Sequence, residues 1–279
     1  MSTLLIGFDS AWTEDNRGAL VGALRSAGGT REDLGDPELV NFVEAADRVS
    51  RWIETYQPSK TIVLLDQPTI VRNNEGQRPV ENLVSSPISL RYGGVQPANL
   101  KRADMFGSEA PVWSFLHRFG GPADPIAKLK TVSVIETYPV LSLIGLGWIC
   151  SDEQRLTGRL PKYNPERRKT FQLADWQFVC SQTKGELEGY GLSGLAAYME
   201  KCLAMQKPKK PDQDRVDACI CLIVALRLVE SQDCVMIGNM DSGYMVVPAT
   251  AAFVTELDVR CRETGREPGS WITALKPFV

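Results

Sequence analysis

The sequence predicts an α/β protein built on a mixed sheet, an antiparallel meander continued by parallel strands, with helices on its faces. Three observations carry this reading. Apolar runs of strand length occur at 4–8, 18–24, 61–65 and 131–135. The first two are separated by a short polar turn at 13–17, as an antiparallel pair requires. The later runs are separated by helical periodicity or by segments long enough for a crossover, as parallel strands require.

The 279 residues, 43% hydrophobic and 23% charged, can bury a core without disulfides or a structural metal. The net charge of −3 announces no polyanion partner, so any such site must come from local clustering. Seven cysteines, an odd number with no C-x-x-C spacing, suit reduced thiols in a cytoplasmic protein. No run of roughly 18 apolar residues is present, so no membrane association is expected. The first apolar run has no basic region before it and reads as a strand, not a signal peptide. The single histidine, His117, argues against triad hydrolases and zinc hydrolases and leaves carboxylates to carry any chemistry.

Taken in order, Leu4 to Phe8 form a buried strand ending at Asp9, and Gly18 to Leu24 form the second. A short third strand precedes Gly35. A helix then starts at Pro37, with Asp36 as N-cap, and stops before Pro58. Thr61 to Leu65 form a strand ending at Asp66. Residues 69–130 are polar and rich in Gly and Pro, and read as an insertion or cap with a helix near Ala110–Phe119. Thr131 to Ile135 form a strand ending at Glu136. Helices are predicted over 165–182, 192–205 and 213–230, with Val216, Ile220, Ile223, Val224 and Leu228 marking the buried face of the last. A hairpin at 235–237 and 244–247 and a helix over about 249–263 complete a single domain spanning 1–279. This order of elements is that of the ribonuclease H-like fold, whose early part the actin-like ATPases share.

Three of these strands end in an acid: Asp9, Asp66 and Glu136. With the three strands parallel and adjacent, about 4.8 Å apart, their ends meet at one sheet edge. Asp214 and Asp217, three residues apart, project from one face of the strongest helix, and Asp212 is its expected N-cap. Carboxylates crowded together repel unless a cation neutralises them, and hard oxygen ligands suit Mg²⁺ or Mn²⁺. Asp9, Asp66 and Asp217 are the expected metal ligands, with Asp214 or Glu136 holding a second ion or orienting water.

Ile6-Gly7-Phe8-Asp9-Ser10-Ala11-Trp12, Leu65-Asp66-Gln67-Pro68, Ile135-Glu136-Thr137-Tyr138-Pro139 and Asp214-Arg215-Val216-Asp217-Ala218 together resemble the ordered motifs of the domain-of-unknown-function 429 family. The resemblance runs from about residue 4 to 250 and implies a ribonuclease H-like nuclease acting on nucleic acid with a divalent ion. The stretch Lys162 to Leu173, with Arg167 and Arg168, is similar to a Lys/Arg segment of that family. Tyr244 to Pro248 is similar to its late strand, and Arg78-Pro79-Val80-Glu81 to an Arg/acid motif of its insertion. The Asp214/Asp217 helix also resembles the closing acidic motif of Holliday-junction resolvases.

Charge is uneven along the chain. Residues 1–71 carry 6 basic and 11 acidic side chains, residues 72–130 carry 8 and 5. Arg155, Arg159, Lys162, Arg167, Arg168 and Lys169 cluster before the acidic helix, and Lys207, Lys209 and Lys210 abut it. Lys162, Arg167, Arg168 and Arg78 are therefore the expected contacts to phosphate. Trp12, Tyr92, Trp113 and Tyr163 are candidates to stack on bases, or else core residues. Two other classes stay open: ATP-dependent phosphoryl transfer on an actin-like fold, which wants a Gly-rich loop where 10–17 has none, and a catalytically silent binding module. Gly189 to Gly194 matches G-x-G-x-x-G but follows no strand, and reads as a turn.

Overall fold

A computed structural model of the chain describes residues 2–85, 95–127, 129–151, 158–230 and 233–275. Tyr92 and Arg155 lie outside them. The central sheet contains β1 (Thr3–Asp9), β2 (Gly18–Arg25), β3 (Arg31–Asp33), β4 (Glu38–Val40), β5 (Lys60–Asp66) and β6 (Val132–Glu136). Its order is β3-β2-β1-β5-β6, with β4 also paired to β2. β1–β2, β2–β3 and β2–β4 are antiparallel, while β1–β5 and β5–β6 are parallel. The three acid-tipped strands are thus adjacent and run the same way.

Strand alternation divides the core into two layers. Leu4, Ile6 and Phe8 pack with α1 (Phe42–Tyr56) on one face, together with Phe115. Leu5 and its partners Ile62, Leu64 and Ile135 pack on the other, against a long helix spanning Lys210–Val229. That helix is apolar almost all round, as a core helix must be. Gly7 is where it touches the sheet most closely: a Cβ there would lie 2.1 Å from the Ala218 carbonyl oxygen and 2.5 Å from the Leu222 nitrogen. The small residue lets strand and helix backbones meet directly.

Several expected boundaries move. The first helix begins at Phe42, not Pro37, because Asn41 makes a complete capping box with Glu44: Glu44 N donates to Asn41 Oδ1 at 2.9 Å and Asn41 N donates back to Glu44 Oε2 at 3.0 Å. Residues 38–40 are drawn into the sheet as β4 instead, so Asp36 caps nothing there. The segment 69–130 contributes α2 (Pro79–Val84), α3 (Ala103–Phe106) and α4 (Pro111–Arg118). Val80, Leu83 and Val84 of α2 join one core layer and Val112, Phe115 and Leu116 of α4 the other.

After β6 come α5 (Pro139–Gly145), α6 (Leu173–Gly189), α7 (Ser193–Leu203) and α8 (Lys210–Val229). The helix expected from 165 starts only at Leu173. The Asp175 carboxylate pulls the preceding chain back into a loop by accepting from Lys162 N at 2.6 Å and from the Arg159 guanidinium. α8 starts three residues before the expected 213. Asp212 is not its N-cap; from the first turn it accepts from Lys209 N at 2.8 Å. The hairpin β7 (Cys234–Asn239) and β8 (Gly243–Pro248) forms as expected. α9 (Ala251–Glu263), capped by Thr250, and the short α10 (Pro268–Trp271) follow, and β9 (Ile272–Ala274) adds a third strand to the hairpin. Three residues give too little periodicity for β9 to be seen in the sequence. No described helix is long and apolar enough to cross a membrane.

Candidate active site

Asp9 and Asp66 are register partners at the ends of β1 and β5, and neighbouring strands are about 4.8 Å apart. By alternation Asp9 leaves β1 on the Gly7 side, the side that α8 covers. The close approach at Gly7 and Ala218 fixes the helix there, and Asp217 and Asp214 lie toward its start. All four aspartates line one cavity of about 590 Å³ at the C-terminal edge of the parallel strands. Four acids scattered from position 9 to 217 therefore meet because of strand register and a single backbone contact.

Each aspartate has its own surroundings. Asp217 is 5% exposed and accepts from Tyr163 Oη at 2.8 Å and from Gln213 Nε2 at 2.9 Å. Asp214 pairs with Lys210 one turn earlier on α8. Asp9, 6% exposed, comes within side-chain hydrogen-bonding reach of the Asp66 and Asp214 carboxyls. Its Oδ2 is buried with no donor to it. The Gln213 Oε1 is likewise buried without a donor.

These surroundings shift the acids in one direction. Burial, with Asp217 and Asp66 close by, holds the Asp9 carboxyl well above its ordinary range. Burial and Asp217 push Asp66 up to about 8. Burial raises Asp217 to about 6 against the pull of Lys210, Tyr163 and Gln213. Asp214 is raised by burial although Lys210 opposes it. Such a cluster needs either protons or a cation.

Glu136 takes a different role from the one expected. It is the register partner of Leu65, one residue out of phase with Asp66. Arg78 takes its carboxylate with both terminal nitrogens, at 3.0 and 2.6 Å, and Thr69 N donates to it at 2.8 Å. Arg78 also donates through Nε to Glu81 at 2.7 Å and through Nη1 to the Ile70 carbonyl at 3.0 Å. Glu81 closes the arrangement by accepting from Ala98 N and Arg78 N, both at 2.9 Å. Arg78 is fully buried with its donors engaged, so it is not the phosphate contact expected of it. It ties Ile70, Glu81 and, through Glu81, Ala98 to the sheet edge, and Glu136 is its partner rather than a free ligand.

The expected basic contacts also separate. Arg167 lines the cavity at its exposed rim. Lys162 and Arg168 are exposed but do not line it. Lys162 is held by its backbone, whose N–H donates to Asp175 at 2.6 Å. Tyr163 is buried against Asp217, so it is not a stacking platform. Trp12 stands at the cavity with a left-handed backbone, φ 65°, an unfavourable conformation for a residue with a side chain. Its indole N–H donates to the Asp66 carbonyl at 3.2 Å, and Ser10 Oγ donates to the same carbonyl at 3.1 Å. The β1–β2 turn is thereby fastened over the end of β5.

Sequence reasoning missed Gln213, and gave Lys210 and Tyr163 other roles, in a basic cluster beside the acidic helix and as a stacking or core residue. Lys210 was visible as the residue four before Asp214 on a helix. The contact of Tyr163 with Asp217 spans 54 residues and has no local signal.

Among the described residues no three His, Cys, Asp or Glu side chains converge as a closed metal cage. The expected trio of Asp9, Asp66 and Asp217 is therefore not drawn together as a three-ligand set, and each oxygen of Asp217 already accepts one hydrogen bond, from Tyr163 and Gln213. What the donors do fit is an open site. Asp9 and Asp66 are adjacent hard-oxygen ligands, the bare Asp9 Oδ2 awaits a positive partner, and Mg²⁺ commonly takes one or two carboxylates and fills its shell with water and phosphate oxygens. No family model, no curated protein and no solved structure matches this chain.

Proposed function

We propose that this protein is a ribonuclease H-like nuclease of the domain-of-unknown-function 429 type, hydrolysing phosphodiester bonds of nucleic acid with Mg²⁺ or Mn²⁺. The observation that carries the reading is the register pair Asp9–Asp66 beneath a cavity, with a buried Asp9 oxygen that no protein group satisfies. The strand order, with three parallel strands beside an antiparallel meander, supports the same fold.

Asp9 and Asp66 would hold the ion. When bound, it supplies Lewis-acid polarisation of a phosphoryl oxygen and a more acidic water. Asp217, held at both oxygens by Tyr163 and Gln213, is placed to accept a proton from a water in the cavity. Arg167 at the rim offers a bidentate donor to a phosphate oxygen. Trp12 forms part of the cavity wall where a nucleobase would rest. The seven cysteines are free thiols, which suits a cytoplasmic location.

The test is cleavage of a panel of single- and double-stranded DNA and RNA with Mn²⁺, Mg²⁺ or EDTA. Metal-dependent products from the wild type, lost in Asp9→Asn and Asp66→Asn, support the reading. No cleavage of any substrate, together with no binding of Mn²⁺, refutes it.

A further inference from the structure

We infer that the site takes a single divalent ion, on Asp9 and Asp66, and that the Lys210 ammonium stands permanently where a second ion would otherwise sit. This rests on the metal-dependent reading above and deepens it.

Charge and commitment of ligands lead to this. If Asp9, Asp66, Asp214 and Asp217 are all ionised, they carry four negative charges. Two divalent ions would use Asp9 as the shared ligand, Asp66 on one side, and Asp214 or Asp217 on the other. On that second side Lys210 already binds Asp214 Oδ1 directly, from the preceding turn of the same helix. Its charge acts on Asp9 and Asp217 as well. Tyr163 and Gln213 hold both oxygens of Asp217. Glu136, the remaining acid at the strand ends, is taken by Arg78.

The first side is different. The Lys210 charge reaches Asp66 too, but among the described residues no cation is bonded to its carboxylate, and Asp9 Oδ2 is nine-tenths buried and without a donor. One bare buried oxygen next to one unclaimed carboxylate is a place for one ion. With Lys210 counted, one divalent ion brings the four acids to a net charge of −1.

Lys210 is well suited to a fixed position. It sits at the first residue of α8, and its side chain is 38% exposed while Asp214 is only 9% exposed, so the ammonium plugs the mouth of the acid cluster rather than its floor. From there it also faces incoming phosphate, and would stabilise charge on an oxygen as it leaves.

The experiment counts Mn²⁺ bound per chain, by loss of the free-ion electron paramagnetic resonance signal, in wild type, Lys210→Ala and Lys210→Gln. Expected are one ion in the wild type and two in both variants. Two ions in the wild type, or one ion in wild type and in both folded variants, overturns the inference and leaves the nuclease reading standing. No Mn²⁺ in the wild type overturns both. The wild-type count alone decides if a variant does not fold.

Discussion

Replacing Asp9 by Asn should make the metal-free protein more stable while abolishing its use of metal. Asp9 is 6% exposed, beside Asp66 in register and near Asp217. Two ionised carboxylates about 5 Å apart repel by roughly 3 kcal/mol at an effective dielectric of ~20. The alternative is to keep one protonated. For a carboxyl whose ordinary pKa is 3.8, that costs about 4 kcal/mol at pH 7, at ~1.4 kcal/mol per pH unit. An asparagine needs neither, and its amide can donate to the Asp66 and Asp214 carboxylates. The expected gain at pH 7 is therefore about 2–4 kcal/mol, or roughly 4–8 °C in Tm for a chain of this size.

The sign with pH follows. These acids are raised in the folded state, so the folded protein holds protons that the unfolded chain has released. The stability these acids contribute to the wild type is then fully present below about pH 4 and is lost as pH rises toward about 8, the value for Asp66. Asp9→Asn should flatten that fall, and the two proteins should converge near pH 4. Thermal melts in EDTA at pH 4 to 8 measure this. Added Mn²⁺ should reverse the order by raising the wild type alone. An Asn variant that melts below the wild type in EDTA at pH 7, with the same pH slope, would refute the crowding of charge on which the site rests.

Arg78→Ala strands two buried carboxylates, Glu136 and Glu81, and should lower stability by about 3–5 kcal/mol in urea titration; Arg78→Lys should rescue little, since it lacks the fork that spans both acids. Gly7→Ala puts a Cβ 2.1 Å from the Ala218 carbonyl, so α8 must shift; a loss of about 1–3 kcal/mol should accompany a fall in cleavage, read by melt and by nuclease assay. Tyr163→Phe removes a donor that lowers the Asp217 pKa, now about 6, and should move the acid limb of the rate profile to higher pH with little change in fold by circular dichroism. Arg167→Ala should weaken substrate binding and make it less sensitive to salt, measured by fluorescence anisotropy at two ionic strengths.

Much of the frame was legible because each buried strand was a short unbroken apolar run. Leu4 to Phe8, Thr61 to Leu65 and Val132 to Ile135 each stop at an acid, and the helix around Ile220 admits hardly any polar residue. These patterns placed Asp9, Asp66, Asp214 and Asp217 at one edge. What escaped was whatever depended on phase or on distant partners. Glu136 lines the same cavity as Asp66, one residue out of phase in register, but Arg78 takes its carboxylate, and no composition rule reveals it. Arg78 looked like a surface cation because its two acid partners, Glu81 three residues away and Glu136 58 away, are recognised only once the chain is folded. The start of α1 moved five residues from the Pro37 signal because Asn41 and Glu44 cap it better than Asp36 could.

The position of α8 bears on how the protein comes into being on the ribosome. All six strands of the central sheet precede residue 137, while the helix that covers one of their faces starts at 210. A nascent chain must therefore carry an uncovered apolar sheet face for more than seventy residues of synthesis, a stage at which holdase chaperones would find a ready target. The same delay keeps the acidic cleft from existing before α8 docks, so a translation product that stops short of α8 lacks Asp214 and Asp217.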